Sequence, residues 1–260
     1  MYRMQEMSDV VAQTGLLNEG RALVDTANEH DIALRLVGGL AIRMLTPDLP
    51  PRMSTGQDLD FGSASATRRA LTDLITERGY APDKNFNALY GNKQLYFANP
   101  ETGLSIDVLI DKFHMCHTLD FADRLTRLPY TLDPIDLLLS KLQIVELNEK
   151  DADDCLRLLV TFPLEDSSDA AAMDLRVFRD LMGQDWGWWR TVTMNLDRIT
   201  TLLKDGDRPA TNGGTLDPRA QLEVLRQTAE SAPKSRGWKL RSRVGERKRW
   251  YDVPEETPHH

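Results

Sequence analysis

Two aspartates, Asp58 and Asp60, stand one residue apart in the stretch QDLDFG, where they alternate with Leu59 and Phe61. This alternation predicts a β-strand, whose successive side chains point to opposite faces. The two carboxylates therefore share one face, and their like charges repel each other. Leaving them half-buried is costly unless a positive group neutralises them. The pair thus indicates a site for a cation.

A third carboxylate, Asp107, lies between apolar residues in LSIDVLI, a second predicted strand. Such a position normally takes valine or isoleucine, and an unpaired buried aspartate there would be costly. If the two strands are neighbours, the three carboxylates converge on one patch. Oxygen ligands of this kind suit Mg²⁺ or Mn²⁺. Two such ions, bridged by Asp58 and Asp60, could hold the attacking and leaving oxygens of a phosphoryl displacement.

Gly38 and Gly39 form a turn between a predicted buried strand, IALRLV, and a predicted helix, LAIRML. Glycines at a strand end let backbone N–H groups approach a ligand closely, and the following helix presents its positive end to a phosphate. Most pairs of glycines are plain turns, so this pair is informative only together with the carboxylates. The chain has neither a P-loop motif nor a Gly-x-Gly-x-x-Gly motif after a strand. A P-loop or dinucleotide-binding enzyme is therefore set aside.

The combination of a glycine pair at a helix start, Asp58-x-Asp60 and a third strand aspartate resembles the DNA polymerase β-like nucleotidyltransferase superfamily. The resemblance covers roughly residues 34 to 159. It implies that Gly38 and Gly39 hold the triphosphate of a nucleoside triphosphate (NTP) substrate. It further implies that Asp58 and Asp60 bind Mg²⁺ or Mn²⁺, and that Asp107 helps to bind the metal and activates the attacking hydroxyl.

The segment SKLQIVELNEKDADD, residues 140–154, is similar to the helical signature of nucleotidyltransferase toxins from bacterial abortive-infection and toxin–antitoxin systems. This similarity implies that Lys141 binds the phosphates of the nucleotide. It also implies that Lys150, Asp151 and Asp154 complete the cleft. The acceptor in this branch would be RNA, for example the end of a tRNA. An antitoxin protein is an expected partner.

Three features bear on this branch. The gap between Gly39 and Asp58 is 18 residues, longer than the spacing that is commoner in the superfamily, and is similar to the longer loop of the toxin-type branch. The arginine that the signature carries between its two lysines is missing here. Arg52 lies near a family arginine but in a shifted register.

The order of predicted elements indicates an α+β fold, with a small mixed sheet flanked by helices and a helical C-terminal region. We expect a nucleotidyltransferase core with an N-terminal helix over residues 1–130, and a helical domain with a basic tail over residues 131–260. QLYFAN and LSIDVLI, joined by PETG, predict an antiparallel hairpin.

No stretch approaches the roughly 20 apolar residues of a membrane span. The two cysteines are too few for a disulfide framework, so we expect a cytoplasmic protein.

Residues 234–249 carry eight basic side chains and one acid, Glu246, so this segment is +7 and leaves −15 on the rest of a chain whose net charge is −8. With Trp238 and Trp250 interleaved, the segment is compatible with contacts to the RNA backbone and stacking on its bases. A flexible solubilising tail fits the same pattern. Trp186, Trp188 and Trp189 are interpreted as core residues.

Two other functions are compatible with the sequence. One is a non-catalytic, antitoxin-like partner protein of the same fold. The other is transfer of a nucleotide to a protein or a small molecule instead of RNA. Individual residues also have structural interpretations: Asp111 as an exposed residue at a strand end, Lys141 as a lysine that reaches solvent from an apolar helix, and residues 150–154 as a solvated face.

Overall fold

The computed structural model describes residues 2–51, 58–206 and 208–253, with side chains from residue 13 onward. Arg52 lies outside the described residues. Within them, no helix combines the length and the apolar character needed to cross a membrane. The chain divides into two compact units. The N-terminal unit comprises Met1–Pro47, Pro51–Phe113 and Asp120–Asp133, and the C-terminal unit comprises Asp48–Pro50, His114–Leu119 and Pro134–His260.

The strands and helices alternate in the first half of the chain, and helices dominate the second half. The strands are β1 (Leu34–Leu36), β2 (Asp58–Ser63), β3 (Ala81–Pro82), β4 (Gln94–Ala98), β5 (Ser105–Ile110), β6 (Lys112–His114), β7 (Thr118–Asp120), β8 (Leu164–Glu165) and β9 (Met173–Asp174). The helices are α1 (Tyr2–Glu29), α2 (Gly38–Leu45), α3 (Arg68–Glu77), α4 (Lys84–Tyr90), α5 (Pro134–Leu142), α6 (Glu149–Thr161), α7 (Leu175–Gln184), α8 (Trp186–Asp205), α9 (Pro218–Ser231) and α10 (Arg236–Val244). Short 3₁₀ turns occur at Ser65–Thr67, Ala122–Arg124, Pro209–Thr211 and Gly245–Arg247.

A five-stranded mixed sheet forms the centre of the N-terminal unit, in the order β1-β2-β5-β4-β3. Strands β2 and β5 run parallel, and the other neighbours are antiparallel. Leu59 and Phe61 of β2 are fully buried, whereas Asp58 is exposed and Asp60 half-buried, as the alternation requires. The predicted α+β fold with a small mixed sheet is confirmed, and so is the β4–β5 hairpin.

The helix predicted over PIDLLLSKLQIVELN is shorter than expected, because α5 ends at Leu142. The Asn195 side-chain amide donates hydrogen bonds to the carbonyl oxygens of Leu142 and Ile144, each at 2.8 Å. These carbonyls are thus satisfied from outside the helix, as the last turn of a helix requires. The next helix, α6, begins after Asn148, whose side-chain oxygen caps it by accepting a hydrogen bond from the Asp151 N–H at 2.9 Å.

The basic segment does not form a flexible tail. Residues 236–244 form α10, which packs against α7 and α8 within the C-terminal unit. Lys234 anchors the segment, since its ammonium donates hydrogen bonds to the carbonyl oxygens of Met182 at 3.3 Å and Ala229 at 2.5 Å. The tail interpretation is therefore wrong for the described part of this segment. Aromatic side chains bury large areas, which explains how α10 packs against α7 and α8 despite its charge.

The interpretation of the tryptophans at the start of α8 as core residues holds for two of them. Trp186 is 6% and Trp188 2% exposed, whereas Trp189 is half-buried. The Trp188 ring packs on the imidazole of His117, with ring centroids 5.1 Å apart. His117 itself is buried, and a ring nitrogen lies 2.9 Å from the hydroxyl of Thr191.

His117 gives the C-terminal unit a stability that depends on pH. Burial lowers the pKa of His117 to about 4, although Asp185 and Asp252 oppose the shift. An unfolded chain binds this proton near pH 6.5, so the contribution is present above that pH and is lost as pH falls to about 4. The loss amounts to about 3 kcal/mol.

We therefore expect the difference in free energy of unfolding between wild type and His117→Gln to shrink as pH falls from 7 to 4. Urea denaturation at several pH values measures it. His30→Gln, which makes the same change at an exposed histidine of the N-terminal unit, is the matched control. A difference that stays constant with pH would show that His117 is not the buried neutral group described here.

Candidate functional site

The three predicted carboxylates lie on neighbouring strands of the central sheet. In the parallel pairing of β2 with β5, Asp60 is the register partner of Asp107, and Asp58 is the partner of Ser105. Side chains in register on adjacent strands project from the same face. The structure therefore brings Asp58, Asp60 and Asp107 together on one face, with Leu59 and the other apolar neighbours on the opposite, buried face.

Two neutral side chains hold these carboxylates. The Ser105 hydroxyl donates a short hydrogen bond to the Oδ1 of Asp58. The Gln94 amide, on the neighbouring strand β4, donates to the Oδ1 of Asp107 at 2.5 Å. These donors orient the two carboxylates without cancelling their charge. Neither Ser105 nor Gln94 was predicted from the sequence, although Ser105 could have been noticed as the residue two places before Asp107, on the same face of the strand.

The glycine turn begins helix α2 directly beside Asp60. The Val37 N–H donates to the carbonyl oxygen of Asp60 at 2.9 Å, which ties the end of β1 to β2. Gly38 has φ +64, and a Cβ built there would lie 2.8 Å from the Oδ2 of Asp60. A side chain at this position would thus be strained by its backbone and would displace the carboxylate. Glycine is the residue that permits this close approach.

The start of α2 is able to bind an anion. Helix geometry leaves the first N–H groups, including those of Gly38 and Gly39, without an acceptor inside the helix. The N-cap residue, Val37, provides no side-chain cap, and both glycines are half-buried. N–H groups with the positive end of the helix dipole bind phosphate oxygens well. Here they lie beside carboxylates, so a phosphate and an intervening cation could be bound together.

These residues have donor atoms that suit a metal ion, but their side chains are not arranged around one. Among the described residues, no group of three or more histidine, cysteine, aspartate or glutamate side chains is arranged to hold a metal ion. The type of donor does fit, because three carboxylates on one face are the hard oxygen ligands of Mg²⁺ and Mn²⁺. To bind one ion together, Asp58 would give up its hydrogen bond with Ser105, and Asp107 would give up its hydrogen bond with Gln94.

Lys141 belongs to an ion-pair cluster of the C-terminal unit. Its Nζ donates to Asp151 Oδ1 at 2.7 Å and lies 3.2 Å from Asp154 Oδ2. The Asp154 side chain is only 1% exposed and that of Lys141 14%. The ammonium thus neutralises a buried carboxylate, and the interpretation of Lys141 as a lysine that reaches solvent is wrong. A role for Lys141 in binding phosphates stays a prediction.

The charge run over residues 150–154 divides by position on α6. Lys150 is exposed, whereas Asp151 and Asp154 are buried and face Lys141. The interpretation of the whole run as a solvated face is therefore wrong for these two aspartates. Asp111, expected to be exposed, is half-buried with φ +61, and its Oδ1 accepts a hydrogen bond from the Ser65 N–H at 2.9 Å. Asp111 therefore shapes a loop.

Comparisons with known proteins leave the family of the chain open. No protein-family model matches it, and no curated protein matches it either. Among solved structures, it is similar to the antibiotic-resistance factor ANT(2'')-Ia, with 10% identity and a TM-score of 0.41 over 76% of this chain and 97% of that one. A likeness of this degree bears on neither family nor chemistry. The case for function depends on the residues of the site.

Replacing Gly38 tests the close approach of α2 to Asp60. We expect Gly38→Ala to lose about 1–2 kcal/mol of stability through its left-handed backbone, and to displace the Asp60 carboxylate. Gly103→Ala is a matched control, because Gly103 has φ +71 but a Cβ there would meet no atom within 4 Å. Both variants should melt early, and only Gly38→Ala should lose any activity that depends on Asp60. Equal activity of the two variants would contradict this geometry.

Proposed function

We propose that this chain is a metal-dependent nucleotidyltransferase that moves a nucleoside monophosphate from an NTP to an acceptor hydroxyl. The observation that carries the proposal is the register of Asp60 with Asp107, directly beside the glycine start of α2. The N–H groups of Gly38 and Gly39 would bind phosphate oxygens of the triphosphate. Asp58, Asp60 and Asp107 would hold Mg²⁺ or Mn²⁺, which when bound neutralises charge on the triphosphate.

The residues of the chain then position the two reactants. The acceptor hydroxyl attacks the α-phosphorus, the bond from that phosphorus to its bridging oxygen breaks, and pyrophosphate leaves. Asp107 takes the proton of the hydroxyl. Gln94, which donates a hydrogen bond to Asp107, keeps that carboxylate in place until a metal ion binds. Most of the acceleration would come from positioning and from charge neutralisation, as in other phosphoryl transfers.

We further propose that the acceptor is RNA, a tRNA end included, and that the chain acts in a toxin-like manner with an antitoxin protein as partner. Support comes from the similarity of residues 140–154 to the toxin signature and from the basic segment 234–249. An acidic protein with one basic segment is suited to bind a polyanion there and to remain soluble elsewhere. Lys141 and Lys150 would contribute positive charge for the nucleotide.

A non-catalytic partner protein of the same fold is the second candidate. The observation that favours it is the hydrogen bonding of Asp58 by Ser105 and of Asp107 by Gln94, together with the lack of a converged metal cluster among the described residues. These hydrogen bonds orient Asp58 and Asp107 without a metal. Transfer to a protein or a small molecule is a variation of the first proposal and shares its chemistry.

One assay separates these possibilities. The protein is incubated with Mg²⁺ and α-phosphate-labelled NTPs, in parallel with total RNA, cell protein and a low-molecular-weight extract. We expect label in the RNA and release of pyrophosphate. Label in protein or in small molecules would show that RNA is not the acceptor, while the proposed transfer chemistry would stand. No label in any fraction, with Mn²⁺ as well as Mg²⁺, would overturn the proposal and favour the partner protein.

A further inference from the structure

A pocket in the C-terminal unit is lined mainly by aromatic and basic residues. Its volume is about 690 Å³, within the range of pockets that hold small molecules or single nucleotides. Its walls come from residues 116–118, from residues 184–188 where α7 ends and α8 begins, and from residues 237–252. We call it the aromatic pocket, after its members Trp186, Trp188, Trp238, Trp250 and Tyr251.

The aromatic pocket is held in shape by polar contacts within the unit. The indole Nε1 of Trp250 donates to the Thr191 hydroxyl at 3.0 Å, and the Asp252 N–H donates to the Cys116 carbonyl at 2.9 Å. A Cβ at Gly187 would lie 2.6 Å from the Trp250 carbonyl oxygen, so the missing side chain allows the segment to pack closely on α8. The pocket thus exists before any ligand arrives, which lowers the entropic cost of binding.

One arginine is fixed inside this pocket by an aromatic ring and by backbone carbonyl groups. The Arg241 guanidinium lies over the Trp186 ring, 4.7 Å from its centroid, and donates to the carbonyl oxygens of Gly245 and Lys248, each at 2.7 Å. Cation–π stacking and carbonyl acceptors orient the guanidinium but leave its full positive charge. The pocket therefore has a positive potential close to its aromatic surface.

Further positive charge, which no acid in the described part of the chain neutralises, lies at the pocket itself, on Lys248 and Arg249, and elsewhere on the same basic segment. Six side chains are exposed and form no ion pair within the described part of the chain: Arg236, Lys239, Arg243, Arg247, Lys248 and Arg249. The first three follow a spacing of three and four residues along α10 and so share one face, which lies roughly opposite to the face with Trp238 and Arg241 that lines the pocket. The one acid of the segment, Glu246, pairs with Arg190 at 2.6 Å. Such uncompensated charge favours a polyanionic partner.

Two acidic residues also line the pocket and reduce its positive charge. Asp185 caps α8, since its Oδ1 accepts hydrogen bonds from the N–H groups of Gly187 at 2.6 Å and Trp188 at 3.1 Å. The positive end of that helix offsets its charge. Asp252 is exposed at the edge. Two carboxylates thus face Arg241, Lys248 and Arg249, so the pocket and its rim keep a net positive charge.

We propose that the aromatic pocket binds unpaired bases of a single-stranded nucleic acid, with the flanking phosphates on Lys248 and Arg249. Stacking of bases on aromatic side chains inside a positive groove is the physical basis of single-strand binding. A paired base in a duplex cannot reach an indole. A lone mononucleotide in the pocket would leave unused the cations of the segment that do not line it, and an acidic peptide would leave the aromatic surface unused.

The role of this pocket rests on the proposed function: it would hold the acceptor strand of the transfer reaction. Strand binding itself requires neither NTP nor metal. All five tryptophans of the chain are at positions 186–250, and four of them line the pocket. Intrinsic tryptophan fluorescence therefore reports on this region alone. The protein is titrated, in EDTA and without NTP, with an oligouridylate of about 12 nucleotides. An abasic oligomer of equal length and polyglutamate serve as comparisons.

We expect saturable quenching by the oligouridylate and at least about 10-fold weaker binding of the abasic oligomer, because stacking is lost. Tyr251→Leu should weaken binding of the oligouridylate and leave that of the abasic oligomer unchanged. The double variant Lys248→Gln/Arg249→Gln should lower the slope of log affinity against log salt by about 1.4. Arg198→Gln/Lys204→Gln removes two exposed cations of α8 and is the matched control.

Equal affinity for the oligouridylate and the abasic oligomer would overturn base binding. Saturable quenching by polyglutamate of similar strength would identify an acidic protein as the partner, and no saturable quenching by the oligouridylate would overturn the proposal as a whole. Asp60→Asn should bind the oligouridylate like wild type. Strand binding without transfer activity would refute the proposed function alone, and transfer without strand binding would refute this inference alone.

Discussion

Asp60→Asn is expected to lower nucleotidyl transfer at least about 10³-fold, which corresponds to about 4 kcal/mol of transition-state stabilisation. The substitution keeps the size of the side chain but removes the charge nearest the start of α2, where a Cβ at Gly38 would lie 2.8 Å from Asp60 Oδ2. The fold should change little, because the variant removes one of three like charges on a single sheet face. Transfer of label from an NTP to RNA measures the activity.

Asp73→Asn is the matched control, since it makes the same change on an exposed position of α3 in the same unit. Both variants should have a free energy of unfolding within about 1 kcal/mol of wild type. Full transfer activity in Asp60→Asn would show that the carboxylate is not part of the reaction. Lost activity that is accompanied by unfolding would instead assign Asp60 a structural role.

Lys141→Met is expected to cost about 3–5 kcal/mol of stability, the largest such effect that we foresee. The substitution removes the ammonium that lies 2.7 Å from Asp151 and 3.2 Å from Asp154. The Asp154 side chain is 1% exposed, so its charge would remain buried without the Lys141 ammonium. Urea denaturation, monitored by circular dichroism, gives the free energy of unfolding.

Lys150→Met provides the control, because Lys150 is an exposed lysine at the start of the same helix, α6. Its effect should stay within about 0.5 kcal/mol. The triple variant Lys141→Met/Asp151→Asn/Asp154→Asn should recover most of the stability, since it removes both carboxylates together with the ammonium. Transfer activity of the triple variant then distinguishes a lysine that binds phosphates from one that only stabilises. Equal stability of Lys141→Met and Lys150→Met would contradict the ion-pair cluster.

Local patterns in the sequence predicted the strands of the site well. The alternation around Asp58 and Asp60 and around Asp107 has the period of a half-buried strand, and β2 and β5 form there. The pairing of these strands could only be assumed from the sequence. Asp60 and Asp107 are 47 residues apart, and no local preference sets a parallel register over such a distance. The structure supplies that register.

Features that depend on tertiary contacts were predicted less well. The sequence left a solvent-reaching Lys141 open as an alternative to phosphate binding, because the helical spacing within α5 says nothing about Asp151 and Asp154 on the next helix. The basic segment was compatible with a flexible form, because the aromatic residues against which α10 packs lie about 50 positions earlier, at the start of α8. Ser105 and Gln94 escaped notice because neutral hydrogen-bond donors have no distinctive sequence pattern.

The central claim is that Asp58, Asp60 and Asp107 together bind a divalent cation with an NTP at the start of α2. Anomalous diffraction at the manganese edge, from crystals grown with Mn²⁺ and a non-hydrolysable NTP, tests it most directly. We predict an Mn²⁺ peak about 2.1 Å from oxygens of Asp58 and Asp60, with triphosphate oxygens on the N–H groups of Gly38 and Gly39. A crystal in which the NTP binds elsewhere, or in which Ser105 and Gln94 still hold the carboxylates beside a metal-free site, would contradict it.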